Sequence, residues 1–143
     1  MVVPTSQQEG QKWRYTFDKP AGGWEKTDFD TSAWKEGPGG FGEKSTPGTA
    51  VRTDWKTADI WLRRTFELPA GKREGLFLAI HHDEDAEIYL NGILAAKTSG
   101  YITDYTLFAL DEAALKALHE GANTVAVHCH QTGGGQYIDV GLV

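Results

Sequence analysis

Residues 85–97 read DAEIYLNGILAAK, and they decide the class of fold. Two runs of residues suited to strands, 85–90 and 93–97, flank the dipeptide Asn91-Gly92. Asn-Gly supplies the two positive φ angles that a two-residue type I′ turn requires. The stretch therefore predicts a β-hairpin.

Strand patterns continue on both sides of this hairpin. Trp13, Tyr15 and Phe17 alternate with polar residues, which is the period-two pattern of a strand. In the segment 123–130, Val125, Val127 and Cys129 share one face, so we expect them to point inward. Strands are predicted at 12–18, 60–68, 75–82, 85–90, 93–97, 103–110, 123–130 and 136–142.

The remaining segments contain little helix. Residues 111–119 are the one helix candidate, with Asp111 as its cap and Gly121 near its end. The stretch 19–57 is rich in Gly, Pro, Asp, Thr and Trp and predicts a long connection with at most short strands. Many short strands without strand–helix alternation predict an all-β sandwich or barrel.

Composition limits the partners. The chain has 143 residues, the size of one domain, and a formal net charge of −6. The negative charge argues against nucleic acid and against anionic membranes, because both attract basic surfaces. No apolar run approaches the roughly 20 residues of a transmembrane helix. Residues 1–10 are polar, carry no signal peptide and are expected to be poorly ordered or tag-like.

Several segments together resemble a known family. They are FDTSAW at 29–34, GPGGFG at 37–42, DIWLRRTFELP at 59–69, HHDEDAEIYLNG at 81–92 and LHEGANTVAVHCHQTGGGQYIDVGL at 118–142. With their spacing, they resemble the galactose-binding-domain-like jelly rolls attached to glycoside hydrolases. The sugar-binding domains of family 2 glycoside hydrolases and the jelly-roll domains of β-galactosidases are the most similar. The likeness runs from Trp13 onward and is mostly architectural.

The resemblance implies one antiparallel jelly-roll β-sandwich over 1–143, with a short helix near 111–119. It also implies a non-catalytic module of a larger glycoside hydrolase that degrades polysaccharide. The implied partners are a glycan or polysaccharide and the catalytic domain of the same polypeptide. An extracellular or periplasmic location follows, with any export signal in a longer precursor.

Candidate ligand residues follow from the chemistry of sugars. A sugar ring stacks its apolar CH face on an aromatic side chain, and its hydroxyls pair with polar side chains. Such groups should lie in loops at one end of the sandwich. Trp55, flanked by Asp54 and Lys56, is expected to be exposed. The candidates are Trp24, Asp54, Trp55, His82, Asp83, Asp85, Tyr101, Gln136 and Tyr137.

Other constellations suggest weaker alternatives. Asp85 and Glu87 share a strand face and could form a glycosidase acid pair, but a solvated strand edge is the preferred interpretation. His81, His82, His128 and His130 could converge on zinc, yet their spacing does not require it. A structural calcium is compatible with the resemblance, but no residue set identifies one, so no cofactor is predicted.

Three functional interpretations remain open at this point. The first is a carbohydrate-binding module that holds an enzyme on polysaccharide. The second is a structural jelly roll without a ligand that packs against a catalytic domain. The third, which the sequence supports least, is a small independent glycan hydrolase.

Overall fold

The hairpin predicted around Asn91-Gly92 is present in the computed structural model, which describes residues 2–143. Strand β7 (Asp85–Leu90) pairs with β8 (Ile93–Thr98) in antiparallel register. Asn91 and Gly92 have φ angles of 48° and 85°, the two positive values that the turn needs.

Two ten-residue strands form the centre of the first sheet. Strands β5 (Asp59–Leu68) and β10 (Gly121–His130) pair over their whole length. Val125, Val127 and Cys129 of β10 face the core, as their alternation predicts. The sheet is completed by β1 (Lys12–Thr16) and β2 (Lys35–Pro38), and its strand order is β2-β1-β5-β10-β7-β8.

The second sheet has five strands. They are β3 (Phe41–Gly42), β4 (Thr53–Asp54), β6 (Phe77–Asp83), β9 (Thr106–Ala109) and β11 (Tyr137–Leu142). Their order in the sheet is β4-β3-β11-β6-β9, and all pairs are antiparallel except β3 with β4. The two sheets enclose one apolar core, so the predicted all-β sandwich is confirmed.

Helix α1 (Glu112–Ala117) is shorter than the predicted 111–119. Asp111 caps it as expected, because its carboxylate accepts a hydrogen bond from the Ala114 N–H at 2.8 Å. The helix ends where Leu118 turns to an extended conformation, with ψ at 142°. Gly121, at φ 89°, opens β10 and does not cap the helix.

The N-terminal segment differs from expectation. Residues 1–10 were predicted to be poorly ordered or tag-like, but Val3 pairs with Leu142 and is 1% exposed. Ser6 is also buried, and its N–H donates to the Asp139 carboxylate at 2.7 Å. The prediction missed this because pairing with a distant strand edge leaves no local sequence pattern. Met1 lies outside the described residues.

The connection 19–57 contains the short strands β2, β3 and β4, as predicted. Its first part covers the outer face of the six-stranded sheet. The buried guanidinium of Arg63 donates from Nη1 to the backbone carbonyls of Trp24 and Phe29, at 3.0 and 3.3 Å. Trp34 is half-buried and packs edge-on against Phe29.

Candidate functional site: a cleft at one end of the sandwich

The loops at one end of the sandwich enclose a cleft of about 250 Å³. Strand β6 ends at the cleft with Asp83, and an isolated β-bridge joins Asp83 to Tyr101. The Ile102 N–H donates to the His82 carbonyl at 3.0 Å. This hydrogen bond holds the loop that contains Tyr101 and Ile102 against the end of β6. The lining residues are Pro47, Asp83, Glu84, Tyr101, Ile102, Thr103, Gly133, Gly134 and Gly135.

Asp83 is the polar group at the base of this cleft. Its side chain is 6% exposed, and none of the hydrogen bonds among the described residues ends on its carboxylate. Burial, and then the neighbouring Glu84 carboxylate, raise the pKa of Asp83. The Asp83 oxygens are not among the fully buried side-chain atoms that lack a partner, so they face the cleft and are free to accept a hydrogen bond from a ligand.

Tyr101 supplies an aromatic surface beside Asp83. It is 68% exposed, the most exposed of the large hydrophobic side chains in residues 2–143. An exposed aromatic ring with a hydroxyl at its tip can stack on an apolar face and hydrogen-bond at its edge. Asp83 and Tyr101 are therefore the two predicted ligand residues that the fold brings together at one opening.

His82 and Asp85 are also near the cleft, but they hold the loop backbone. Nδ1 of His82 lies 2.9 Å from the Glu84 carbonyl oxygen and 3.0 Å from that of Gly100. Asp85 Oδ1 accepts a hydrogen bond from the Gly100 N–H at 2.8 Å. Both side chains were predicted as ligand contacts, whereas the structure gives them a positioning role for the Tyr101 loop.

Gln136 directly follows the cleft-lining residue Gly135 and holds two neighbouring loops. Its N–H donates to Thr46 Oγ1 at 2.9 Å, and its Nε2 donates to the Thr57 carbonyl at 2.6 Å. Its side chain is 4% exposed, so it is a support for two loops and not the surface contact that we expected. Thr46 was not singled out from the sequence, because nothing local marks a threonine that pairs 90 residues away.

Gly135 keeps the base of the cleft accessible. A Cβ placed on Gly135 would lie 2.6 Å from Asp83 Oδ2 and 3.0 Å from Thr46 Cγ2. The chain therefore approaches Asp83 and Thr46 closely at Gly135, where only glycine fits without displacement of a neighbour. By contrast, a Cβ on Gly133 would meet nothing within 4 Å.

The expectation that Trp55 is exposed is wrong. Trp55 is 0% exposed and belongs to the core between the sheets. Its neighbours Asp54 and Lys56 are exposed, and in an extended chain alternate residues point to opposite sides. The two flanking charges therefore indicate an inward tryptophan, and Trp55 is not available to a ligand.

Three other candidates also lie away from the cleft lining. Tyr137 is 0% exposed and packs edge-on against His81 in the second sheet, with ring centroids 4.8 Å apart. Trp24 packs edge-on against Tyr89 over the six-stranded sheet. Asp54 is exposed on the edge strand β4. Sequence proximity to loops suggested these residues, but the strand pairing separates them.

The histidines do not converge. His81 and His82 belong to the five-stranded sheet, and His128 and His130 belong to the six-stranded sheet. Within residues 2–143, no group of three or more His, Cys, Asp or Glu side chains is placed to hold a metal ion. His128 instead stacks on Trp61, with centroids 4.8 Å apart and planes 9° from parallel.

Carboxylates on the outer face of the six-stranded sheet pair with these histidines. Asp59 Oδ1 lies 2.8 Å from His128 Nε2 and 2.9 Å from His130 Nδ1. Burial would raise the pKa of Asp59, but the two histidine hydrogen bonds outweigh it and the net shift is downward. Glu87 contacts His128 Nδ1 at 3.3 Å. Asp85 and Glu87 line a second cleft of about 250 Å³ together with His128 and His130. In it Glu87 is bound to His128, and Asp85 accepts a hydrogen bond from the Gly100 N–H, so both acids already have partners.

Solved structures with the same fold were found in family 2 glycoside hydrolases. A family 2 member from Bacteroides cellulosilyticus matches 100% of the chain at 20% identity, with a TM-score of 0.65. A β-glucuronidase from Bacteroides uniformis matches 97% at 21% identity, with a TM-score of 0.63. A β-glycosidase from Bacteroides vulgatus matches 97% at 19% identity, with a TM-score of 0.59.

The chain shares its fold with a segment of family 2 glycoside hydrolases. The predicted resemblance is confirmed at this level. The chain spans only 21%, 17% and 20% of those three proteins, respectively. No family model and no curated protein matches the sequence. No helix in residues 2–143 is long and apolar enough to cross a membrane.

Proposed function

We propose that this chain is a non-catalytic accessory module of a larger, exported glycoside hydrolase and binds carbohydrate in the cleft at Asp83 and Tyr101. The likeness to about a fifth of each family 2 protein supports the role of a module. The catalytic domain would follow or precede it in the same polypeptide, and the working location would be extracellular or periplasmic.

One observation carries the binding proposal. Asp83, which is 6% exposed and whose carboxylate accepts no hydrogen bond within the described chain, lies beside Tyr101, which is 68% exposed. Hydroxyl groups of a sugar can donate to the carboxylate while its CH face contacts the ring. Small-molecule sites typically combine an apolar surface with a few polar groups that point toward the ligand, and Tyr101 and Asp83 provide these two features here.

The test is binding of the isolated chain to an array of soluble and immobilised glycans, followed by titration calorimetry with the best ligand. Tyr101→Ala should weaken binding by about tenfold or more, which corresponds to roughly 1.4 kcal/mol. Tyr101→Phe should bind nearly as well as the wild type, because it keeps the ring. Equal binding by the wild type and Tyr101→Ala, or no binding by the wild type, would contradict the proposal.

A second candidate is a structural module without a ligand. Phe77 and Leu107 are 39% and 59% exposed on the β6 and β9 side of the five-stranded sheet. Exposed apolar side chains of this kind suit packing against another domain. Absence of glycan binding, together with loss of stability of the longer enzyme in Leu107→Ser, would favour this function.

A further inference from the structure

The chemistry of the cleft also limits which sugars can enter it. This inference rests on the proposed binding function and concerns the same site. We propose that the cleft selects uncharged sugars, which donate a hydroxyl hydrogen bond to Asp83, and rejects sugars that carry a carboxylate.

The first step is the charge of the lining. The charged side chains that line the cleft are Asp83 and Glu84, and no Lys, Arg or His in the described chain lines it. Binding of a sugar carboxylate in a partly buried site is favoured by a Lys or Arg that pairs with its charge. Here a ligand carboxylate would meet two acids, and like charges at close range in a partly buried site repel strongly.

The second step is the hydrogen-bonding state of Asp83. Its carboxylate offers only acceptors, and it accepts no hydrogen bond within the described residues. A ligand must therefore bring the donors, which sugar hydroxyls do and carboxylates do not. Asp83 is 6% exposed as a residue, accepts no hydrogen bond within the described residues and lines the opening. This unfilled acceptor favours a ligand with donors, whatever the net charge of the lining.

The third step concerns access. Any side chain at Gly135 would come within 2.6 Å of Asp83 Oδ2, so only glycine leaves this oxygen free to accept from a ligand. The φ of Gly135 is not in the left-handed region, so alanine is compatible with its backbone. Gly22 lies outside the cleft lining and also has open space around its Cβ position, so it offers a glycine-to-alanine control.

The experiment compares the best neutral glycan from the array with its counterpart oxidised to the carboxylate at C6, both at pH 7. The wild-type chain should bind the neutral form at least about tenfold more tightly. Asp83→Asn removes the charge and adds a donor, so it should weaken the neutral ligand and reduce the discrimination. Gly135→Ala should lose about tenfold in affinity, whereas Gly22→Ala should bind like the wild type.

The outcomes separate this inference from the function on which it rests. If no glycan of either kind binds, the proposed function fails and the inference with it. If the wild type binds both forms equally, or prefers the carboxylate, only the selectivity proposal is overturned. Unchanged discrimination in a folded Asp83→Asn variant, with melting temperature as the control, would also overturn it.

Discussion

Asn91, in the turn of the β7–β8 hairpin, donates a hydrogen bond from Nδ2 to Oδ1 of Asn123 over 2.8 Å. The Asn123 amide in turn donates to the backbone carbonyls of His119 and Gly121, at 2.8 and 2.9 Å. Asn91 Oδ1 accepts from the Thr124 N–H at 2.8 Å. This pair therefore joins a turn, the chain after α1 and the start of β10 in one partly buried hydrogen-bond network.

Removing this network should destabilise the fold. Asn123→Ala leaves two carbonyls and the His119 N–H without their partner, so we expect a loss of about 2–4 kcal/mol in the free energy of unfolding. Urea denaturation followed by far-ultraviolet circular dichroism measures it. Lys116→Ala, which breaks only the exposed ion pair with Glu112, is the control and should leave the transition unchanged. A loss below about 1 kcal/mol in Asn123→Ala would contradict the assigned role.

Trp55→Ala should be among the most damaging substitutions in the chain. Removal of a fully buried indole leaves a cavity and costs about 3–5 kcal/mol. Trp55→Phe should cost less, because the ring fills part of the space. Thermal and urea unfolding measure both variants, with Tyr101→Ala as the exposed aromatic control. Near-wild-type stability of Trp55→Ala would mean that the side chain lies outside the core after all.

Asp139 should make stability depend on pH. It is 2% exposed, and burial raises its pKa to about 6 although Oδ2 accepts hydrogen bonds from the Ser6 N–H and the Tyr105 hydroxyl. Between roughly pH 4 and 6, the folded chain keeps a proton on Asp139 that the unfolded chain has released. The stabilising contribution of Asp139 to the free energy of unfolding is therefore complete below about pH 4, and it is lost as the pH rises through about 6.

The measurement is the free energy of unfolding of the wild type minus that of Asp139→Asn, from pH 4 to 8. This difference should fall by up to about 1.4 kcal/mol per pH unit in the titrating window and stay level above it. Subtracting the variant removes the titration of other carboxylates that both proteins share. Parallel pH profiles for the wild type and Asp139→Asn would contradict the prediction, because they would mean that Asp139 titrates alike in the folded and the unfolded chain.

Most of the fold could be predicted, because its signals are local. Asn91-Gly92 marks a turn by its backbone preference, and alternation on β10 assigns Val125, Val127 and Cys129 to the core without reference to other strands. The packing of Val3 and Ser6 could not be predicted, since their partners Leu142 and Asp139 lie at the far end of the chain.

The candidate site could be predicted only in part. Asp83 and Tyr101 were selected for their chemistry and do line one cleft. Trp55 was misjudged because its charged neighbours were taken as a sign of exposure, whereas alternation makes them a sign of burial. His82, Asp85 and Gln136 have suitable chemistry, but their hydrogen-bonding groups are engaged by loop backbone.

By itself, the sequence determined the strands, the hairpin turn and the apolar face of β10. These depend on backbone preferences and on alternation between neighbouring residues. Only the tertiary structure decided that Asp83 has no donor, that Tyr101 lies beside it and that Gly135 leaves its carboxylate open. Those relations join residues from different loops, and their positions are set by how the two sheets pair and pack.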